Sequence, residues 1–277
     1  MRAPEHLDYA RYRVTPGEAF RLDSVRPEDT QAHAGKKLAR RQLKESTERL
    51  SDLQERLYAE SERSVLLVLQ AMDGGGKDST IRRVFEGVNP QGCYVTNFKA
   101  PTGEELAHDF LWRVHRRVPA RGYIGVFNRS HYEDVLVARV RALAAPELIE
   151  ERYGHINSFE KTLHDHGTRV VKVFLHISRE YQLRRLRRRL ERPDKWWKFN
   201  PTDLEERERW DAYQAAYETA LNRCSMEYAP WYVIPAEKKW FRSLLVSRLL
   251  VDTLESMDPQ YPHPTFDPAE FPPERLV

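Results

Sequence analysis

Apolar residues run without interruption from 65 to 69, Val-Leu-Leu-Val-Leu. A run of that length between polar neighbours predicts a strand buried on both faces, as in a parallel sheet. Further segments of strand length stand at 93–98, 123–127, 169–177 and 231–234. Between them the apolar positions recur at intervals of three and four, predicting helices over 77–88, 104–117, 146–164, 179–190, 203–226 and 239–257. Strands alternating with helices predict an α/β fold, a five-stranded parallel sheet with helices on both faces.

Ahead of the first strand, Leu43, Leu50, Leu53 and Leu57 recur at helical spacing among charged residues, so 35–60 reads as one long amphipathic helix. Residues 1–33 hold Pro4, Pro16, Gly17 and Pro27 with no sustained period, as expected of an arm lying on the domain. A single domain over 1–277 is expected. It divides into an arm and helix (1–62), a core (63–257) with a lid over about 179–203, and a tail (258–277) with six prolines.

Composition adds exclusions. Forty per cent apolar and 31% charged residues suit a globular chain and argue against disorder. Forty-five basic against 42 acidic residues leave +3, which makes no case for a nucleic-acid partner. Cys93 and Cys224 lie far apart and match neither a disulfide framework nor a metal-ligand spacing, which suits a reducing compartment. No apolar run approaches the roughly 18 residues that a membrane span needs, and no apolar segment follows the charged start Met1-Arg2-Ala3-Pro4-Glu5-His6. A cytoplasmic protein without a membrane partner is expected.

Gly74, Gly75 and Gly76 follow the most apolar strand directly and lead into Lys77. Consecutive glycines let several N–H groups point inward and the next helix presents its positive end, so phosphate oxygens can be cradled. Lys77 adds a mobile charge. The pattern Gly-x-x-x-x-Gly-Lys-Ser/Thr is met in part: Ala71 stands for the first glycine and Asp78 for the hydroxyl residue. Asp78 is still a hard oxygen ligand suited to Mg²⁺, with Ser79 and Thr80 beside it. The alternative is a plain glycine-rich turn with a solvated lysine.

The strand at 123–127 ends in Asn128-Arg129-Ser130-His131-Tyr132-Glu133-Asp134. A carboxylate is expected at this strand end in phosphate-loop enzymes, to hold Mg²⁺ or its waters. Asn128 stands there instead, with Glu133 and Asp134 one turn later and Arg129 free to face phosphate. Ser130-x-x-Glu133 also reads as a capping box, in which Glu133 bonds the helix start, and Thr202-Asp203-Leu204-Glu205 reads as a second. Residues 179–198 hold nine basic and three acidic side chains, a segment of +6 on a remainder of −3. Leu183, Leu186 and Leu190 share one helix face, leaving Arg184, Arg187 and Arg188 to project as a phosphate-gripping lid or as a solvated face.

Taken together, Asp73-Gly74-Gly75-Gly76-Lys77-Asp78, Lys99-Ala100-Pro101-Thr102, Phe127 to Asp134, and Lys195-Trp196-Trp197-Lys198 with Asp203 resemble the second family of polyphosphate kinases over about 35–257. The resemblance implies a thymidylate-kinase-like P-loop kinase fold and phosphoryl transfer between inorganic polyphosphate and nucleotides with Mg²⁺, or Mn²⁺ in its place. It implies phosphate binding by Gly74 to Gly76, Lys77, Asp78, Ser79, Thr80, Lys99, Asn128, Arg129, Arg184, Arg188, Lys195 and Lys198. Asp73, Asp78 and Asp134 are the implied metal ligands. Asp73, Lys77, Arg129, Glu133 and Asp134 are the implied catalytic groups. Many members that act on diphosphates have Asp at the position of Asn128 and Asn at that of Glu133. The pairing here is similar to the subgroup that phosphorylates AMP and ADP alike. A homodimer or homotetramer is implied as well. An ATP-dependent nucleoside-monophosphate or small-molecule kinase on the same fold is the alternative, and a non-catalytic nucleic-acid module a more distant one.

Overall fold

The computed structural model describes residues 7–275, so Met1 to His6 of the expected arm and the last two residues of the tail lie outside the described residues. The arm lies along the sheet edge. Tyr12 and Val14 are buried, the Val14 N–H donates to the Trp231 carbonyl at 2.8 Å, and Arg13 forms an antiparallel bridge with Tyr232. An edge strand that would otherwise present unpaired backbone is thereby partly covered.

Helix α1 (Lys36–Glu60) buries Leu50, Leu53 and Leu57 and stops at Ser61, whose φ of 56° is left-handed. Strand β1 (Ser64–Gln70) is buried along its whole length, which explains its unbroken apolar sequence. Helix α2 (Lys77–Val84) follows the glycine loop and ends before the 77–88 expected, because Gly87 takes φ 90°. After β2 (Cys93–Asn97) the expected helix over 104–117 is two single turns, α3 (Gly103–Leu106) and α4 (Trp112–His115). Between them the Asp109 carboxylate accepts from the N–H groups of Leu111 and Trp112, which restarts the chain.

Next come β3 (Ile124–Asn128), α5 (Glu133–Val140), α6 (Pro146–Asp165) and β4 (Thr168–His176). Helix α7 (Arg179–Leu190) buries Gln182 and Leu186, while Leu190, expected on the same apolar face, is 51% exposed. The helix expected over 203–226 breaks at Arg209 into α8 (Thr202–Glu208) and α9 (Trp210–Cys224). Strand β5 (Trp231–Pro235) and helix α10 (Lys239–Met257) complete the core, with α10 packed along α1.

All strand pairs are parallel, in the order β2-β3-β1-β4-β5, and each strand falls within one residue of its expected ends. The chain leaves β1 toward one edge and later crosses to the other, so the order reverses at β1. Ligands of open α/β sheets bind at such a point, outside the carboxyl ends of the strands. Leu69 lies opposite Asn128 and Gln70 opposite Phe174, which brings the residues after β1, β3 and β4 to one crevice. No helix among the described residues is long and apolar enough to cross a membrane.

Candidate active site

Each glycine of the loop after β1 is needed for its own reason. Gly74 (φ 84°) and Gly76 (φ 97°) hold left-handed backbone, and a Cβ on Gly75 would lie 2.6 Å from that of Ala71 and 2.9 Å from the Met72 carbonyl oxygen. The Lys77 ammonium folds back over the loop and donates to the Ala71 carbonyl at 3.0 Å. Burial draws its pKa down, the positive Arg129 adds to this, and Asp73, Glu133 and Asp78 oppose it. Ser79 and Thr80 turn their hydroxyls onto the Gly76 carbonyl at 2.9 and 3.1 Å, so both are engaged with the loop itself.

At the end of β3, Asn128 acts as a donor. Its amide reaches Asp78 Oδ1 at 2.9 Å and Asn97 Oδ1 at 2.7 Å, and Lys198 reaches Asp78 Oδ2 at 3.3 Å. Burial works to raise the Asp78 pKa, but the bonds from Asn128 and Lys198 outweigh it and hold the carboxyl below its ordinary value. Arg129 takes φ 62°, a strained conformation for a residue with a side chain, of the kind that gathers at functional sites. Its guanidinium lies 3.0 Å from Asp73 Oδ1 and 3.9 Å from Glu133 Oε2. Burial raises the Glu133 pKa, with Arg129 and Lys77 pulling the other way.

Neither expected capping box forms. Ser130 Oγ accepts from Gln70 Nε2 at 3.1 Å and from the Tyr132 N–H at 3.2 Å, and α5 begins without a side-chain cap, so Glu133 is turned to the cleft. At α8 it is Asn200 whose side chain accepts from the Thr202 N–H. The box that does form is Thr102 with Glu105, beside Lys99.

Asp73, Lys99, Arg129, Glu133 and Asp134 line one cleft of about 470 Å³, closed on the far side by Asp203, Tyr213 and Tyr217. Asp134 faces Arg113 at 3.6 Å, and its carboxyl is pushed up by burial against the pull of Arg113 and Arg152. A depression of similar size, about 510 Å³, lies around His176 and Trp210 and contains none of the loop residues. The segment expected as a lid meets the loop at two points. Gln182 donates to the Asp73 carbonyl at 3.0 Å and Lys198 pairs with Asp78, while Arg189 pairs with Asp203 inside the segment at 2.8 Å. Arg184 instead pairs with Glu237 at 3.5 Å, Lys195 with the adjacent Asp194, and Arg188 is exposed, so the structure brings only part of the expected lid set to the loop.

A buried polar group supports the Arg129–Glu133 segment. Lys172 and Glu160, both 0% exposed, form an ion pair, and Tyr132 OH donates to Glu160 at 2.8 Å while His131 Nε2 lies 3.2 Å from the same carboxylate. Breaking such a pair leaves one charge buried alone. Lys172→Met is therefore expected to lower unfolding free energy by about 3–5 kcal/mol in chemical denaturation, and a loss below about 1 kcal/mol would show that Glu160 does not depend on it.

Sequence reasoning missed Arg113, Gln182, Arg189 and Arg242. Arg242 had a signal, since it is the lone cation in the apolar stretch Phe241 to Val246. Among the described residues no group of three or more His, Cys, Asp or Glu side chains is placed to hold a metal. Mg²⁺ is typically held by one or two carboxylates together with water and substrate phosphates, and Asp73, partly exposed in the cleft, fits that role.

The chain is similar to known proteins over most of its length. The family model described as Polyphosphate kinase 2 (PPK2) matches residues 33–262. The AMP/ADP-polyphosphate phosphotransferase of Meiothermus ruber is 54% identical over 255 residues, 92% of this chain and 96% of the relative. The ADP-polyphosphate phosphotransferase of Rhodopseudomonas palustris is 44% identical over 270 residues, 92% of each. The crystal structure of polyphosphate kinase 2 from Arthrobacter aurescens TC1 superposes with a TM-score of 0.90 at 45% identity, covering 94% of this chain and 93% of that one.

Proposed function

The chain belongs to the polyphosphate kinase 2 family, and on that premise we propose how its residues move phosphoryl groups from inorganic polyphosphate to AMP and ADP. The observation that carries the reading is the glycine loop at the end of β1, whose leading Asp73 lines a cleft with Lys99, Arg129 and Glu133 while Lys77 lies close enough to Arg129, Asp73 and Glu133 to feel their charges.

The donor phosphate lies on the amides of Gly74 to Lys77, and Lys77 exchanges its bond to Ala71 for a phosphate oxygen. The acceptor is already anionic at neutral pH, so transfer needs no strong base and no covalent intermediate. What it needs is alignment and cancellation of charge between two polyanions. Arg129, held between Asp73 and Glu133, and Lys99 supply positive charge where the two phosphates meet. Asp73, with Asp78 and Asp134 as further carboxylates, would hold Mg²⁺ or Mn²⁺, which when bound neutralises phosphate charge. Lys198 already reaches the loop, and Arg184, Arg188 and Lys195 of the same basic segment would close with it over the polyphosphate.

A homodimer or homotetramer belongs to the same reading and is supported by the exposed Val95 on edge strand β2 and by exposed Leu143 and Leu148. A cytoplasmic setting suits the free thiols of Cys93 and Cys224. Offering ADP and polyphosphate without ATP tests the proposal. ATP is expected to form, and transfer only from ATP as donor would make the chain an ATP-dependent kinase instead. Raising ionic strength is expected to increase the KM for polyphosphate more than that for ADP, because a lid gripping a long polyanion by exposed charges is screened. Equal sensitivity of both would contradict the lid.

A further inference from the structure

The phosphate loop rests on one buried side chain. Arg242, in the first turn of α10, is 1% exposed and donates from Nη1 to the carbonyls of Gly75 at 2.9 Å and Ala236 at 3.1 Å, and from Nη2 to Ser79 Oγ at 2.8 Å. Its Nε has no partner, and no carboxylate pairs with it among the described residues. A buried guanidinium with neutral partners only is costly, and the cost falls when an anion comes near.

The surroundings raise the cost further. The first turn of α10 holds Lys239 and no acid, so cations sit at the helix end where the backbone dipole disfavours them. Lys239 is drawn down to about 8, first by burial and then by Arg185, Arg188, Arg242 and Arg82. The side chain also fixes the loop from behind. A Cβ on Gly76 would collide with the guanidinium, and the carbonyl of Gly75 is turned back onto it. A carbonyl pointing back leaves neighbouring N–H groups free to point forward.

We infer that Arg242 is a positioning residue whose buried, carboxylate-free charge is the standing counter-charge for phosphate in the loop, holding the Gly75 carbonyl behind the ligand and being neutralised when phosphate binds. The inference rests on the reading of this loop as a phosphate site. It follows that bound phosphate stabilises the chain partly by relieving Arg242, and that removing the charge weakens phosphate binding without weakening the unliganded fold in proportion.

The test compares the wild-type chain, Arg242→Met and Arg242→Lys by thermal unfolding and by equilibrium binding of tripolyphosphate. Arg242→Met is expected to bind at least about tenfold more weakly and to lose at least about half of the ligand-induced rise in unfolding temperature. Arg242→Lys keeps the charge and is expected to bind within roughly threefold of wild type. Binding by Arg242→Met as tight as wild type overturns the inference. So does lower unliganded stability with an unchanged ligand-induced rise, which would leave Arg242 a clip between α10 and the loop. If the Met variant does not fold, the Lys variant decides: a loss of about tenfold or more there overturns the role of charge. Absence of any stabilisation in wild type would defeat the phosphate-loop reading itself, and the inference with it.

Discussion

Lys77→Ala is expected to reduce polyphosphate-dependent phosphorylation of ADP by about 10³-fold or more, with the fold intact. The ammonium is the group most able to change partner on binding. It is held by a single neutral carbonyl, that of Ala71, over a loop whose own N–H groups are proposed as the other phosphate donors. Its lowered pKa records an environment of burial and positive charge that an incoming phosphate relieves. Lys77 leads α2 and makes no interstrand contact, so truncation leaves sheet and core unchanged, and circular dichroism and unfolding temperature should match wild type. Normal turnover in the variant would remove the glycine loop from the reaction.

Glu133→Ala is expected to act unevenly on the two acceptors, cutting AMP turnover by about 10²-fold while ADP turnover falls by far less. Glu133 faces Arg129 across 3.9 Å and helps to fix a guanidinium whose backbone is already strained. AMP offers one phosphate for Arg129 and Lys99 to grip and ADP offers two, so loss of alignment costs AMP more. Steady-state kinetics with each acceptor at saturating polyphosphate measures the difference. Unchanged turnover of both would leave Glu133 a packing residue.

How far the sequence carries differs by feature. The strands were legible because β1, β3 and β4 are buried along most of their length and carry apolar runs, broken in β4 by Lys172, and the glycine loop because three glycines stand together before a lysine. Helix breaks were not. A two-residue Asx bond at Asp109 and the conformation of Arg209 decide them, and neither changes the apolar period that the helices share. The capping boxes failed for a similar reason. Ser130 finds Gln70, a residue 60 positions earlier, and Asn200 reaches Thr202 before Thr202 can cap anything.

In the site itself, side-chain types were readable and partners were not. Asn128 looked like a missing carboxylate, yet its amide serves to hold Asp78, a role only a neighbouring strand and helix can reveal. Arg113 and Arg242 lie in segments that read as ordinary helix, and what sets them apart is what the fold places against them: Asp134 in one case, the back of the loop in the other.

One cleft is proposed to pass phosphoryl groups from polyphosphate to both acceptors. The decisive experiment incubates the purified chain with Mg²⁺, polyphosphate and AMP in the absence of ATP and follows the nucleotides with time. ADP should rise first and ATP after it, with neither formed when polyphosphate is withheld. No phosphorylated product from AMP with polyphosphate present would contradict the account.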